Sequence, residues 1–344
     1  MKKIKILCLV ISIAMLFGSA VSAATFSDMP SDAAASRVIE NAVKNGILSG
    51  YTDGTVRPDA PITRAEMASI ITRACGAINE GNLSRFVDVN PTAWYYPSLS
   101  KAYYMGAFSG SYNMMNPDNN ITFQECFTVL SQVFDLVPSY ILERNFTGTE
   151  LPANSVVVGN RLYNLSAIAN FSDVSEVADW AKVFVAGVVE HGGWSGIDNK
   201  LTPLAYITRL QFSTVMDNLI KNYIDTPGTY DSLPAGNTLV RCNGVVFNNI
   251  TTEDDIYIAD CVSGNGIKFD NANLKGRLIV RGCATPTKDK YGLTTFGDYG
   301  ISLTNGYFEQ VRVICPFINI DLRGSNYNVL YTVPGTSVSQ NVNM

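Results

Sequence analysis

Gly50-Tyr51-Thr52-Asp53-Gly54-Thr55-Val56-Arg57-Pro58-Asp59, followed by Ile62-Thr63-Arg64-Ala65-Glu66, is the stretch on which the fold turns. Two Gly residues, an Asp-Gly pair and a proline within ten positions mark a turn-rich loop. Thr63, three residues ahead of Glu66, has the spacing of a capping box that opens a helix. Met67, Ile70, Ile71 and Ala74 then line one face of that helix. Upstream, Val38, Ile39, Ala42 and Val43 form a second apolar stripe, closed by Gly46 as a C-terminal cap. The unit is helix, loop, helix, with one apolar face on each helix and too little surface to bury alone.

The unit occurs three times. Phe26-Ser27-Asp28-Met29, Phe86-Val87-Asp88-Val89 and Phe171-Ser172-Asp173-Val174 open the copies. A helical stretch ends at Gly46, Gly106 and Gly192, and Ser49-Gly50, Ser109-Gly110 and Ser195-Gly196 follow. A proline (Pro58, Pro117, Pro203) then precedes the threonine that starts the second helix (Thr63, Thr122, Thr208). The interval from phenylalanine to threonine agrees to within one position across the copies. In the third copy Phe212, Val215, Met216 and Leu219 repeat the second helix's apolar face. Three such units would bury their faces in one six-helix core.

A Gly-Tyr-x-Asp-Gly loop followed by Thr-Arg-Ala-Glu resembles the S-layer homology domain, and the resemblance runs from Phe26 to about Tyr223. It places repeats at 24–78, 84–137 and 169–225. It implies a pseudo-threefold helical bundle that binds secondary cell-wall polysaccharide, often bearing pyruvate ketals. The sugar-binding positions implied are Gly50, Asp53, Thr63, Arg64 and Glu66 in the first repeat and Arg209 and Gln211 in the third. Trp94 and Trp180, early in the first helices of repeats two and three, match groove-lining family tryptophans; the other reading of a large aromatic there is core.

The residues themselves sort these positions. Thr63…Glu66, Thr122…Glu125 and Thr208…Gln211 all satisfy a capping box, so these residues need no ligand to explain them. Arginine at the first helical position is different, because a cation there opposes the helix dipole by roughly 0.3–1 kcal/mol. An anion held between Arg64 or Arg209 and free N–H groups of the helix start would reverse that cost. Phe123 replaces the arginine in repeat two, in phase with Phe127, Leu130 and Phe134, and reads as core or interface. The expected order is a site at Arg64 best formed, one at Arg209 weaker and the second repeat degenerate.

Outside the repeats, Lys2, Lys3 and Lys5 precede the apolar run Ile6 to Phe17 and the small residues Val21-Ser22-Ala23, the pattern of an export leader over 1–23. Its removal leaves no membrane segment. The 344-residue chain carries a formal charge of −5 and no basic cluster, which argues against nucleic acid as a partner. A single histidine, His191, excludes multi-histidine metal sites and reads as a cation or dipole partner at a helix C-terminus. No cofactor, metal or catalytic set stands out. Residues 138–168 form an insertion with a hairpin pattern, Ser155 to Val158 and Leu162 to Leu165 around Gly159-Asn160.

Pro227-Gly228 lies in an expected linker over 226–236, and 237–344 carries short β-type runs separated by Asn and Gly turns. A right-handed β-solenoid or a β-sandwich would suit them, and the near-repeat of Asn248-Asn249-Ile250 as Asn271-Ala272-Asn273 favours the solenoid. The whole therefore reads as multidomain, an all-α bundle with an all-β C-terminal domain. Cys242, Cys261, Cys283 and Cys315 each follow a strand. On coils about 4.8 Å apart they would stack either as disulfides or as small buried fillers. Cys75 and Cys126, within amphipathic helices, read as core.

Together these features lead to a secreted, non-enzymatic protein of the bacterial cell wall or S-layer surface. Its partner is expected to be wall polysaccharide or peptidoglycan, and its β-domain is displayed. The alternatives are a wall-anchored lyase or glycoside hydrolase with a catalytic β-domain, drawing on Asp254, Asp255, Asp260, Asp270 or Asp298, and an S-layer lattice subunit.

Overall fold

A computed structural model describes residues 26–138, 140–142, 151–159, 161–264, 266–282, 287–288, 294–295, 300–315 and 318–339. The leader expected over 1–23 and Cys283 lie outside these residues. Each repeat is a helix pair: α1 (Ala33–Lys44) with α2 (Arg64–Ala74), α3 (Tyr96–Tyr104) with α4 (Phe123–Phe134), and α5 (Lys182–Glu190) with α6 (Arg209–Leu219). All three expected capping boxes are formed at the second helices. No helix among the described residues is long and apolar enough to cross a membrane.

The landmarks read from the sequence are parts of one device. The carboxylate of Asp28 accepts from Val56 and Arg57 N–H, Asp88 from Met115 and Asn116, and Asp173 from Leu201 and Thr202. Arg57, Asn116 and Thr202 each precede a proline and sit at φ of 50°, 50° and 52°. Side chains avoid that left-handed region, and the residue before proline avoids helical backbone. Two hydrogen bonds to an aspartate hold the strained residue in place. The phenylalanine of the same motif lies over the Ser-Gly turn: a Cβ on Gly50 would stand 2.1 Å from the Phe26 ring.

The repeats join through a ring of main-chain hydrogen bonds. Ile62 N–H donates to Ile207 C=O at 3.1 Å, Ile207 to Ile121 at 3.1 Å, and Ile121 back to Ile62 at 2.9 Å. Around this ring the second helix of each repeat packs on the first helix of the next, as α2 with α3, α4 with α5 and α6 with α1. Each repeat thus completes its neighbour rather than itself.

The insertion is a three-stranded antiparallel sheet in which β1 (Tyr140–Leu142) joins the expected hairpin of β2 (Ser155–Val158) and β3 (Arg161–Asn164). The solenoid follows α6 directly. Its strands are β4 (Asn222–Ile224), β5 (Gly228–Tyr230), β6 (Thr238–Val240), β7 (Val245–Asn248), β8 (Thr251–Thr252), β9 (Ile256–Ile258), β10 (Ile267–Asp270) and β11 (Asn273–Val280). After a small antiparallel pair, β12 (Thr287–Lys288) and β13 (Thr294–Thr295), come β14 (Ile301–Thr304), β15 (Tyr307–Val313), β16 (Asn319–Asp321), β17 (Asn326–Thr332) and β18 (Ser337–Ser339). One parallel sheet runs β4-β6-β9-β11-β15-β17 and the other β5-β7-β10-β14-β16-β18. All-parallel pairing between successive coils excludes the sandwich alternative. The expected linker over 226–236 is instead part of the first coil, since β4 and β5 pair in register with β6 and β7. Three-residue strands around Pro227-Gly228 carry too little periodicity to announce this.

Bundle and solenoid are not separate bodies. Leu239, Tyr257 and Ile279, in register on the outer face of the first sheet, belong to the bundle's hydrophobic core, while Val240, Ile258 and Val280 point into the solenoid. Solenoid arginines then cap helix ends, where carbonyls lack intrahelical partners. Arg241 donates to Asn45 C=O after α1, and Arg281 to Val133 and Met105 at the ends of α4 and α3. Arg277 donates to Asp135 C=O, and Arg312 pairs with the Asp135 carboxylate. Asp225, Asp260 and Asp255 balance Arg241, Arg281 and Arg277.

His191, the C-cap of α5, is caught in this interface: Nε2 lies 3.4 Å from Val137 O and Nδ1 3.4 Å from Arg277 Nη2. Burial, and then the neighbouring guanidinium, lower its pKa, so it is held neutral and the expected cationic role is not what the fold provides. Cys75 and Cys126 are buried core, with burial pushing the Cys75 thiol up to about 12. Cys242, Cys261 and Cys315 are free thiols directed at carbonyls of the preceding coil, as stacked fillers.

Candidate functional site

Three grooves lie between repeats, and each is built by the second helix of one repeat and the loop of the next. The expectation that Arg64 belongs with the Gly50 to Asp59 loop is therefore corrected. Arg64 reaches into repeat two, where Nε donates to Met115 C=O at 2.8 Å and Nη1 meets Glu125 at 3.3 Å. Arg209 reaches into repeat one, where Nε donates to Val56 C=O at 2.7 Å and Nη2 to Ser49 C=O at 2.6 Å. Val56 and Met115 are the same position in consecutive repeats, so the two arginines make equivalent bonds in differently furnished grooves.

The helix starts are not free to receive an anion. Arg64 and Ala65 N–H donate to Asn119 and Pro117 C=O, and Arg209 and Leu210 N–H to Ala60 and Pro58 C=O. Glu66 and Gln211 N–H are taken by the capping threonines. Close packing around the ring brings the next loop's carbonyls to these donors, so the anion expected there has only guanidinium groups to bind. Thr63, Glu66 and Gln211 serve the caps, and Gly50 serves the Phe26 contact.

The groove between repeats three and one is the best equipped. The Tyr51 ring lies between two guanidiniums, with Arg57 3.9 Å and Arg209 5.0 Å from its centroid. Tyr51 Oη donates to Glu66 at 3.2 Å. Asp53 pairs with Arg57 at 2.7 Å, and hydrogen bonds from the Thr55 hydroxyl and Arg57 hold its carboxyl at about 2. Arg73 spans the rim, donating to Gly46 and Ile47 C=O and to Ser49 Oγ. Burial, and then the charge of Arg209, lower the pKa of Arg73, so two guanidiniums repel each other here. Among the described residues neither Arg73 nor Arg209 has a carboxylate within ion-pair distance. Sequence reading singled out Asp53 and Arg209 but missed Tyr51 and Arg73, whose approach to Arg209 forms only across the join between first and last repeats, and missed Arg57, which pairs with Asp53 within one loop.

The groove between repeats one and two substitutes Ser111, Asn116 and Gln132 for Tyr51, Arg57 and Arg73. Arg64 there is paired with Glu125 and half enclosed over the Phe108 ring, and burial lowers its pKa. Trp94 is 66% exposed, which rules out the core reading; it lines a shallow cleft of α2 and α3 with Ser69, Arg73 and Lys101. Trp180, 54% exposed, is likewise on the surface at the start of α5. In the groove between repeats two and three, Phe123 is buried against Trp194 and Phe127 and fills the space of an arginine.

The S-layer homology domain family model matches residues 25–68 and 85–125, which are the first and second repeats up to their second helices. An exoglucanase, XynX, of Acetivibrio thermocellus is 27% identical over 198 residues, 57% of this chain and 16% of that protein. The surface-layer 125 kDa protein of Lysinibacillus sphaericus is 28% identical over 198 residues, 56% of this chain and 14% of that protein. A cellulosome-anchoring protein of Acetivibrio thermocellus is 38% identical over 69 residues, 20% of this chain and 15% of that protein. The chain thus spans about a sixth or less of the length of these relatives. The two matched segments are S-layer homology domain repeats, a third repeat has the same geometry, and the parallel coils of a β-solenoid follow them.

Proposed function

We propose that the protein attaches non-covalently to a bacterial cell wall at the cell surface, by gripping an acidic secondary wall polysaccharide in the groove between repeats three and one. The observation that carries this reading is Arg209, a buried guanidinium over Tyr51 with no carboxylate partner among the described residues, flanked by Arg57 and Arg73. A ketal carboxylate of the pyruvate type supplies the missing charge. It would meet donors already fixed in position by Val56 and Ser49 carbonyls, at little further ordering cost. The relatives named for a surface layer and for cellulosome anchoring support a surface role for the shared region.

In this reading the solenoid is displayed and performs no polysaccharide cleavage. Incubation of the protein with wall polysaccharide is expected to give no new reducing or unsaturated ends. The test of the anchoring itself is co-sedimentation with purified walls before and after acid removal of ketals and of non-peptidoglycan polymer. Binding is expected to vanish with the ketals; undiminished binding to stripped peptidoglycan overturns the assignment.

A further inference from the structure

The groove at Arg209 does not end at the bundle. Between α1, α6 and the first solenoid coil opens a cleft of about 560 Å³, within the size range of small-ligand sites. Its bundle wall includes Asn41, Lys44 and Ile47 from repeat one and Asp217 from α6, and its far wall runs from Tyr223 to Pro234 in the solenoid. The cleft adjoins the Arg209 groove through Ile47, whose carbonyl accepts from Arg73. Asn41 Nδ2 donates to Asp217 at 3.0 Å across the helix pair.

We propose that this cleft binds a second sugar of the same acidic polysaccharide, so that the solenoid completes the binding site. The inference rests on the reading of the Arg209 groove. The cleft's carboxylates are already balanced, Asp217 by Lys221 and Asp225 by Arg241. Lys44, exposed at the end of α1, has no ion-pair partner among the described residues and leaves the cleft with a positive charge. The residues Tyr223 and Asn45 both line the cleft, and neither the Tyr223 hydroxyl nor the Asn45 side-chain amide has a hydrogen-bond partner among the described residues. Tyr230, Leu233 and Pro234 provide an apolar wall. Unpaired donors opposite an apolar wall suit a pyranose, which shows hydroxyls at its edge and C–H groups on its face. The unpaired ammonium suits an anionic substituent.

The variant Lys44→Ala with Tyr223→Phe removes an ammonium that has no ion-pair partner among the described residues and a hydroxyl, while keeping the Tyr223 ring under Arg241; an unchanged melting temperature checks that the fold is kept. Titration calorimetry of the full protein compares purified wall polysaccharide with its single acidic sugar. The double variant is expected to bind the polysaccharide about five- to tenfold more weakly, the size of one or two lost hydrogen bonds, and the single sugar unchanged. Parental affinity for the polysaccharide, while Arg209→Gln has lost it, overturns the cleft assignment alone. Parental affinity in Arg209→Gln as well overturns the groove reading and the cleft with it.

Discussion

The grooves between repeats three and one and between repeats two and three stand on the same backbone and differ in what fills them. In the first, a guanidinium lies over Tyr51 with two further arginines at hand. In the second, Phe123 and Trp194 pack into the equivalent space at 5.1 Å between centroids. The difference teaches that threefold architecture does not impose threefold chemistry. One groove leaves a buried cation without a carboxylate among the described residues, whereas the other is filled with apolar volume and is part of the core.

The comparison breaks most visibly at its closed end. Phe123→Ala empties a fully buried aromatic site and is expected to cost about 3–5 kcal/mol, read as a lowered denaturation midpoint. Wall binding by the folded protein should stay unchanged; lost binding in folded protein would show that this groove also holds ligand. At the open end, Arg209→Gln removes the charge while keeping an amide donor for the facing carbonyls. Affinity for acidic polysaccharide should drop about ten- to hundredfold, as expected for charge-assisted hydrogen bonds to a carboxylate. Arg64 lies between these extremes, already neutralised by Glu125. Arg64→Ala should weaken binding by about threefold or less, and a loss equal to that of Arg209→Gln would restore the order read from the sequence.

The smallest effect concerns pH and the bundle–solenoid interface. His191 is held neutral in the folded state, so the unfolded chain binds its proton more readily. Its contribution to stability is present above the unfolded value of about 6.5 and is lost as pH falls below it. The melting temperature should therefore decline from pH 7 to pH 5, and His191→Gln should flatten that decline. An unaltered slope would remove His191 from the account.

The threefold register was legible because each landmark has a local job repeated in every copy: phenylalanine on Gly50, Gly110 or Gly196, aspartate on the residue before proline, threonine at the cap. Site composition was not legible, since Arg209 meets Val56 and Ser49 from 153 and 160 positions away. One sequence position cannot announce which neighbour it will face. The free N–H groups expected at the helix starts were wrong for the same reason, since the carbonyls that occupy them come from another repeat. The solenoid's alternation was clear in β7 and β10. It was blurred in Ile256-Tyr257-Ile258 and Leu278-Ile279-Val280, where both faces are buried and the outer one packs on helices.

The ring of Ile62, Ile121 and Ile207 uses main-chain groups only. The closure of the ring therefore makes no demand on the three side chains at these positions beyond the fit of their volume. Losing one copy opens the ring and strands a donor and an acceptor, so the copy number is fixed, while the chemistry of each copy is free to drift. Phenylalanine at position 123 can therefore fill one junction with apolar volume while the ring, and the other two junctions, keep their geometry.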